Sequence, residues 1–216
     1  MPDRKVQFLV EGNDDAYFIK HFAKCALGME LRVNENMLSD VVSLGTCNKL
    51  LDRIDSIQKD SGGWESIGVI LDSNGDPLKR WAEVLESAGP HWGLPQEPCP
   101  AGVIGKSGLR RMGFWLMPEP GRPGALEDFL IEIRKDSDRQ NRIWGHARQS
   151  VETLPERLFK DGDLPKAELR TWLSWQKEPG APYGLAVSQG CFDIEHRLAK
   201  RFAAWMRSVR TPCENL

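Results

Sequence analysis

The 216-residue chain has little cysteine and no long apolar run, and each deficit excludes a class of protein. Its five cysteines are dispersed and never form a Cys-x-x-Cys pair, so we expect neither a disulfide framework nor a structural zinc site. No segment approaches the roughly 18 apolar residues of a membrane span. The charged start, Met1-Pro2-Asp3-Arg4-Lys5, does not have the shape of a signal peptide. We therefore expect a cytoplasmic protein with no membrane partner.

The chain also has almost no net charge, which limits how it can bind nucleic acid. Its 29 Lys and Arg residues face 31 Asp and Glu residues, which leaves a formal net charge of −2 at pH 7. A protein that holds nucleic acid through overall basicity is excluded, so any phosphate contact must come from a local patch or a metal ion.

The first sixty residues alternate between strand and helix patterns. Residues 5–10 are rich in β-formers, and a helical stripe follows at Ala16, Phe18, Ile19, Phe22 and Ala23. A second strand is predicted either within residues 31–34 or within residues 40–44. The next helix carries an apolar stripe and ends at Ser61-Gly62-Gly63; the stripe consists of Leu50, Leu51, Ile54 and Ile57.

A third strand follows at residues 67–71, which form a continuous apolar run. Such a run is typical of a strand buried on both faces of a parallel sheet. Pro77 then opens another helix, because proline is favoured in the first helical turn. This alternation predicts an α/β fold with a parallel sheet flanked by helices.

The remaining residues predict one more strand and a helical C-terminal part. In chain order we expect a loop over 89–108, a strand over 112–117, a helix over 125–134, one irregular helix within 135–162, and helices over 166–176 and 193–210. We interpret residues 1–216 as a single domain, with a core up to about residue 135 and a helical C-terminal part from about residue 136 to residue 216.

Acidic side chains follow two of the predicted strands at the point where each strand ends. Glu11 and Asp15 come after the first strand, and Asp72 and Asp76 come after the third. Ligands of parallel sheets collect at the carboxyl ends of the strands. Four carboxylates in one small volume repel each other unless a divalent cation offsets their charge, and oxygen ligands suit Mg²⁺ or Mn²⁺. Their pKa values are therefore expected to be raised without metal.

A second interpretation of the same acids is structural. Asn13 or Asp14 is suited to cap the first helix, and Asp residues before helices do this routinely. Taken one at a time, Asp14, Asp15 and Asp72 fit helix caps. Taken together at two strand ends, the acids favour a metal site.

The pattern of these residues resembles the Toprim (topoisomerase–primase) superfamily. It consists of an apolar strand, Glu11-Gly12-x-x-Asp15-x-x-Phe18, and a later buried strand that leads into Asp72-x-Asn74. The interval between Glu11 and Asp72 accommodates the βαβαβ core of that family. The resemblance implies that Glu11 acts as acid/base or metal ligand and that Asp72 and its neighbours hold Mg²⁺ for cutting or joining phosphodiesters.

Later segments extend the resemblance to small stand-alone Toprim-like proteins of prokaryotes, which are related to the Toprim domain of OLD-type nucleases. These segments are residues 124–128, 166–176 and Pro179-Gly180. One position departs from the family pattern, because Asn74 stands where the family has a second aspartate. An amide oxygen still ligates metal, but the site loses one negative charge, and Asp76 is the candidate to replace it.

Two further residues are candidates for the same site. Glu127 begins the helix after the strand predicted over 112–117. It is either a metal ligand supplied from a third strand end, or an acid placed there because the helix dipole favours one. Lys166 follows Pro165 at the start of a helix, where an exposed lysine is ordinary. OLD-type nucleases stabilise the transferring phosphate with a lysine, and the resemblance makes Lys166 the candidate here.

A phosphate-binding loop is excluded at Gly105-Lys106-Ser107. That motif requires a glycine where Pro100 stands, and Gly108 interrupts the helix that should follow. We therefore expect no ATP site in this chain.

Two functions follow as hypotheses from different classes. The first is Mg²⁺- or Mn²⁺-dependent phosphodiester chemistry on nucleic acid, with the protein acting as a nuclease. The second is a catalytically weak or inactive binding or regulatory module that works with a partner ATPase. The substitution at Asn74 and the absence of overall basic charge favour the second hypothesis.

Overall fold

A five-stranded sheet forms the centre of the computed structural model, which describes residues 6–33, 39–59 and 63–210. The strands are β1 (Val6–Val10), β2 (Val41–Ser43), β3 (Ser66–Asp72), β4 (Val103–Ser107) and β5 (Arg110–Met117). Their order across the sheet is β2-β1-β3-β5-β4. Neighbouring strands run parallel except for the β4–β5 pair, which is antiparallel. The predicted α/β fold with a largely parallel sheet is confirmed.

The two strands that precede the candidate acids lie side by side. β1 and β3 pair in parallel, with Val10 opposite Ile70, and both strands are almost fully buried. The apolar residues of these strands can face the interior on both sides of the sheet because helices cover both faces. Glu11 and Asp72 therefore reach the same edge of the sheet.

Eight α-helices surround the sheet within the described residues. They are α1 (Asn13–Leu27), α2 (Cys47–Lys59), α3 (Pro77–Ala88), α4 (Leu126–Glu132), α5 (Asp138–Glu152), α6 (Leu164–Leu173), α7 (Tyr183–Ser188) and α8 (Arg197–Arg210). Helices α2 and α3 pack on one face of the sheet, whereas α1, α4 and α8 pack on the other together with the remaining C-terminal helices. No helix of the described chain is both long and apolar enough to cross a membrane.

Aromatic side chains fill the core between the sheet and the C-terminal helices. Phe202 of α8 lies at their centre, with its ring 5.0 Å from that of Trp115 on β5 and 5.2 Å from that of Phe22 on α1. Phe129 of α4 packs edge-on against Phe202 at 5.5 Å. The strand, the first helix and the C-terminal helices therefore share one core, which fixes the helices that carry Glu127 and Lys166 relative to the sheet.

One strand contradicts the sequence interpretation. The loop predicted over residues 89–108 contains β4, which pairs antiparallel with β5 through a two-residue turn at Gly108-Leu109. The strand has only five residues and lies at the sheet edge, with a side facing solvent, so it lacks the continuous apolar run that marked the buried strands. It contains Gly105-Lys106-Ser107 in extended form.

The C-terminal helices are present with different bounds. Helix α5 is a regular helix that covers the middle of the predicted 135–162 segment, and α6 and α8 end or begin inside their predicted ranges. Helix α7 was not predicted, because its six residues are too short to show a helical stripe.

The second strand resolves one alternative of the sequence analysis. It lies within residues 40–44, and Val33 contributes only an isolated bridge to Val41. Some predicted bounds fall outside the described residues: the start of the first strand at Lys5, the end of the 31–34 alternative at Asn34, and Ser61 and Gly62 of the predicted helix end.

Candidate functional site

Glu11 and Asp72 meet at the carboxyl edge of the sheet. Glu11 follows β1 directly and Asp72 is the last residue of β3, so the parallel pairing of these strands brings them together. Oε1 of Glu11 accepts a hydrogen bond from the backbone N–H of Asp72 at 3.1 Å. The two strand-end acids are therefore in contact across neighbouring strands, as the spacing of the strands predicts.

Asp15 is turned toward this edge by the first turn of α1. The N-cap of the helix is Gly12, and not Asn13 or Asp14 as predicted; its N–H donates to Oδ2 of Asp15 at 2.9 Å. A Cβ atom at Gly12 would lie 2.8 Å from the same carboxylate oxygen, so a larger residue here would displace the Asp15 carboxylate from this position. Asp15 therefore both closes the helix start and faces Glu11.

The loop after β5 brings α4 to the same place. The backbone N–H of Asn74 donates to the carbonyl of Gly124 at 2.7 Å, and the N–H of Gly124 donates to the carbonyl of Asn74 at 2.6 Å. Next to this bridge, the N–H of Leu126 donates to Oδ1 of Asp72 at 3.1 Å. Glu127, the following residue, is 9% exposed and so joins the acids at the sheet edge.

A lysine and a tyrosine from the C-terminal helices hold Glu127. Nζ of Lys166, near the start of α6, lies 3.4 Å from Oε1 of Glu127. The hydroxyl of Tyr183, the first residue of α7, donates to the same oxygen at 3.3 Å. Lys166 is half exposed, whereas Tyr183 is buried. The two candidates Glu127 and Lys166, far apart in the sequence, are thus direct neighbours.

Asp15, Asp72, Glu127 and Lys166 line an open cleft of about 350 Å³, whereas Glu11 and Tyr183 lie next to it and are not among its described lining residues. Its lining residues are Gly12, Asn13, Asp14, Asp15, Asp72, Leu126, Glu127 and Lys166. The cleft is predominantly acidic, with Lys166 as its cationic wall.

Burial and mutual repulsion raise the pKa values of two acids in the cleft. Burial raises the pKa of Asp15 to about 7, and the negative charges of Glu11 and Glu127 add to this effect. Burial also raises the pKa of Asp72 well above its usual range, with further increases from Asp15, Glu11 and Glu127. Both shifts oppose the charged form, because the carboxylates are withdrawn from water and also lie close to other negative charges. The predicted raised pKa values are present at these two positions.

Asn74 and Asp76 lie outside the group that lines the cleft. Asn74 is exposed and adopts a left-handed backbone conformation with φ of 52°, which asparagine tolerates better than most residues. Asp76 is the N-cap of α3, and its Oδ1 accepts from the N–H groups of Leu78 at 3.1 Å and Lys79 at 2.9 Å. Asp76 is thus a helix cap, a role that the sequence analysis assigned only to Asp14, Asp15 and Asp72, and metal ligation by Asn74 or Asp76 stays a prediction.

The sequence analysis missed a second group of residues around the cleft. The guanidinium of Arg170 pairs with Oδ2 of Asp14 at 2.7 Å and lies 5.0 Å from the ring centre of Tyr183. Burial, and then the negative charge of Glu127, raises the pKa of the Tyr183 hydroxyl. No local signal pointed to these residues, because α7 was not predicted and the Asp14–Arg170 pair joins positions 156 residues apart.

A layer of polar contacts also lies behind Glu11 and Asp72. Nε of Arg80 donates to the carbonyl of Asp72 at 3.1 Å, and its Nη1 lies 2.5 Å from Sγ of Cys47. Burial and the charge of Glu11 raise the pKa of Cys47 to about 11, so its thiol stays protonated at neutral pH. Arg80 thus fixes the main chain that carries Asp72.

The acidic side chains are not arranged to coordinate a single metal ion. Within residues 6–33, 39–59 and 63–210, no three His, Cys, Asp or Glu side chains are placed so that they could hold one metal ion together. In each of Glu11, Asp15 and Asp72, one carboxylate oxygen accepts a hydrogen bond from a backbone N–H. The donor set is nevertheless a group of carboxylates, which is the chemistry that suits Mg²⁺ or Mn²⁺.

Comparison with solved structures gives two neighbours. The C-terminal region of the Burkholderia pseudomallei OLD protein shares 15% sequence identity at a TM-score of 0.47, and the match covers 96% of this chain and 99% of that chain. The C-terminal region of the Xanthomonas campestris pv. campestris OLD protein shares 14% identity at a TM-score of 0.46, and the match covers 96% of each chain.

Comparison at the level of sequence gives a family. No curated protein matches the chain. A family described as "Protein of unknown function (DUF3226)" matches residues 5–211. The chain belongs to this family.

Proposed function

We propose that this member of the DUF3226 family catalyses divalent-metal-dependent phosphodiester chemistry on nucleic acid and acts as a nuclease at the acidic cleft. The observation that carries the proposal is the meeting of Glu11, Asp15, Asp72 and Glu127 at one sheet edge, with Lys166 against Glu127. The strand-end pattern that resembles the Toprim superfamily supports the same chemistry. A chain with net charge −2 needs a cation or a local patch to approach phosphate.

The metal would be held by the carboxylates of Asp15, Asp72 and Glu127. Burial, and then repulsion among these acids, raises the pKa values of Asp15 and Asp72, and a divalent cation offsets both effects. Their side chains must rearrange to hold one ion, since no three of them are placed to do so now. When bound, Mg²⁺ or Mn²⁺ neutralises phosphate charge and lowers the pKa of an attacking water.

Glu11 is the proposed general base. Its Oε1 is fixed by the N–H of Asp72, so the side chain is held at the sheet edge while the second carboxylate oxygen takes the proton of the attacking water. Lys166 is the proposed stabiliser of the transferring phosphate. Its ammonium is half exposed and only 3.4 Å from Oε1 of Glu127, so it can leave this contact for a phosphate oxygen.

The second candidate function is a binding or regulatory module that works with a partner ATPase. The observation that favours it is the placement of Asn74 and Asp76. Asn74 is exposed and Asp76 caps α3, so the position that carries the second aspartate in the Toprim pattern supplies no acid to the lining of the cleft. Such a protein would bind nucleic acid or its partner without cutting.

A cleavage assay tests the first function. The full chain is incubated with single-stranded DNA, duplex DNA and RNA in Mg²⁺, in Mn²⁺ and in EDTA. We expect cleavage that EDTA abolishes and that Glu11→Gln lowers by about 10²- to 10⁴-fold, the usual contribution of a general base. Lys166→Met should also lose activity, because methionine keeps the side-chain length without the charge.

The matched control is Glu86→Gln, which makes the same change at an exposed position of α3 outside the cleft. Isothermal titration calorimetry should detect the binding of Mg²⁺ to the wild-type protein and no binding of Mg²⁺ to Asp72→Asn. Metal binding without cleavage of any substrate would favour the binding module. The nuclease proposal fails if cleavage is equal in wild type and Glu11→Gln.

A further inference from the structure

A second pocket, of about 700 Å³, lies at the opposite end of α6 from the acidic cleft. It is open to solvent and lies where α5 begins and where α6 and α7 end. Lys135, Arg139, Gln140, Trp175, Lys177 and Gln189 contribute to its lining. Its volume is within the range of small-molecule and cofactor sites, roughly 300 to 1,000 Å³.

The charge of this basic pocket is opposite to that of the cleft. Lys135, Arg139 and Lys177 are exposed, and none of the three has an ion pair within the described part of the chain. Glu178 is the one acid among its described lining residues, and it accepts a hydrogen bond from Nε2 of Gln189 at 2.5 Å. Three cations therefore converge on one pocket in a chain whose net charge is −2. This is a local patch of the kind that phosphate binding requires.

An exposed indole and a rigid polar wall complete the pocket. Trp175 is 45% exposed, whereas Trp172, one turn earlier, is buried. The amides of Gln140 and Gln176 donate to each other at 3.0 and 3.3 Å, and Nε1 of Trp172 donates to Oε1 of Gln140 at 3.2 Å. The hydrogen bonds fix this wall, and the indole of Trp175 beside it stacks on no other aromatic ring of the described residues.

We propose that the basic pocket binds a nucleotide unit, with the base stacked on Trp175 and the phosphate held by Lys135, Arg139 and Lys177. An exposed aromatic ring beside several cations is the combination by which proteins bind single-stranded nucleic acid, since every base offers a face for stacking and every phosphate a charge. Arginine suits this role further, because its planar guanidinium makes paired hydrogen bonds to phosphate.

The position of the pocket relative to the cleft favours single-stranded nucleic acid, and not a free nucleotide, as its ligand. Helix α6 has 10 residues, and Lys166 near its start faces the cleft while Trp175 and Lys177 follow its end. At 1.5 Å per residue the helix spans about 15 Å, which a strand of a few nucleotides can bridge. The choice of a single strand rests on the proposed function; binding of a nucleotide unit in the pocket does not require the cleft to be catalytic.

Fluorescence anisotropy with a labelled single-stranded oligonucleotide tests the pocket, with EDTA present so that no cleavage occurs. We expect Trp175→Ala to weaken binding about tenfold and Trp175→Phe to retain most of it, because phenylalanine still stacks. Lys177→Ala should reduce the slope of log affinity against log salt by about 0.7, the value for one phosphate contact to a single strand. Lys106→Ala is the matched control, since Lys106 is exposed on the edge strand β4 and is not among the described lining residues of the pocket.

Three outcomes separate the pocket from the cleft. Competition by adenosine monophosphate at low concentration would show that the nucleotide unit can be a free nucleotide, and the pocket would stand. Trp175-dependent binding without any cleavage by wild type would overturn the proposed nuclease and leave the pocket standing. Equal affinity of wild type, Trp175→Ala and Lys177→Ala, with circular dichroism showing all three folded, would overturn the pocket whether or not the protein cleaves nucleic acid.

Discussion

The two ends of α6 carry sites that are built in different ways. In the acidic cleft, Asp15 and Asp72 are largely buried, and each accepts a hydrogen bond from a backbone N–H. In the basic pocket, Lys135, Arg139 and Lys177 are exposed on long side chains without ion pairs among the described residues. Fixed, desolvated charges suit chemistry, because the groups need no reorganisation during reaction. Exposed cations suit the binding of a variable ligand, because they adapt their positions and are screened by salt.

The largest expected effect that tests this difference between the acidic cleft and the basic pocket is the pH dependence of stability. The pKa of Asp15 is raised from 3.8 to about 7 in the folded protein, so the folded state binds more protons than the unfolded state between these values. The free energy of unfolding of the metal-free protein should therefore fall as pH rises from about 4 to about 7, by on the order of 2 to 4 kcal/mol. Urea denaturation in EDTA across this range measures the change.

Asp15→Asn isolates the contribution of that residue. The amide oxygen can still accept from the N–H of Gly12, so the helix start is kept while the buried charge is lost. We expect the variant to be more stable than wild type at pH 8 and to show a shallower pH dependence. Glu86→Gln, on the exposed face of α3, should follow wild type at every pH. Parallel curves for wild type and Asp15→Asn would mean that Asp15 is not held in a desolvated, repulsive environment.

The sequence was sufficient for the part of the cleft that depends on neighbouring strands. Glu11 and Asp72 could be brought together from two strand patterns, because parallel strands present their carboxyl ends at one edge. The sequence left open whether Glu127 would join the acids or only charge a helix end, and it did not show that Asp76 would cap α3. That outcome depends on the bridge between Asn74 and Gly124, which is a contact of two loops and leaves no periodic pattern.

The basic pocket could not be predicted at all, for a related reason. Trp175 and Lys177 follow α6, whereas Lys135 and Arg139 lie at the start of α5, and only the packing of these helices brings them together. Exposed lysines and a surface tryptophan have no spacing that distinguishes a binding site from ordinary surface. Strand β4 was missed because it lies at the sheet edge and lacks a continuous apolar run, and helix α7 was missed because six residues are too few to show a helical period.

An intermediate effect is expected at Tyr183, which connects the C-terminal helices to the cleft. Its buried hydroxyl donates to Oε1 of Glu127 at 3.3 Å. Tyr183→Phe removes this hydrogen bond and keeps the ring under Arg170, so the free energy of unfolding should fall by about 1 kcal/mol. If the cleft is catalytic, the variant should also lose activity, since Glu127 would be held by Lys166 alone.

The exposed Tyr17 on α1 offers the matched control, and Tyr17→Phe should leave both stability and activity unchanged. A Tyr183→Phe protein as stable and active as wild type would remove Tyr183 from the support of the cleft.

The smallest effect is expected one residue from the largest. Asp14 and Asp15 are adjacent acids in the first turn of α1, yet Asp14 is 51% exposed and pairs with Arg170, which is itself 54% exposed. An ion pair between exposed side chains contributes at most about 1 kcal/mol and is screened by salt. Asp14→Asn should therefore lower the free energy of unfolding by no more than about 0.5 kcal/mol, and the difference should vanish in high salt.

Urea denaturation of wild type, Asp14→Asn and Asp15→Asn at pH 8 in low and high salt makes the comparison. We expect opposite signs for the two variants, because the same residue type stabilises the fold when its charge is solvated and paired, and destabilises it when its charge is buried among other acids. A destabilised Asp15→Asn or a stabilised Asp14→Asn would contradict the assignment of Asp15 to the desolvated acidic group.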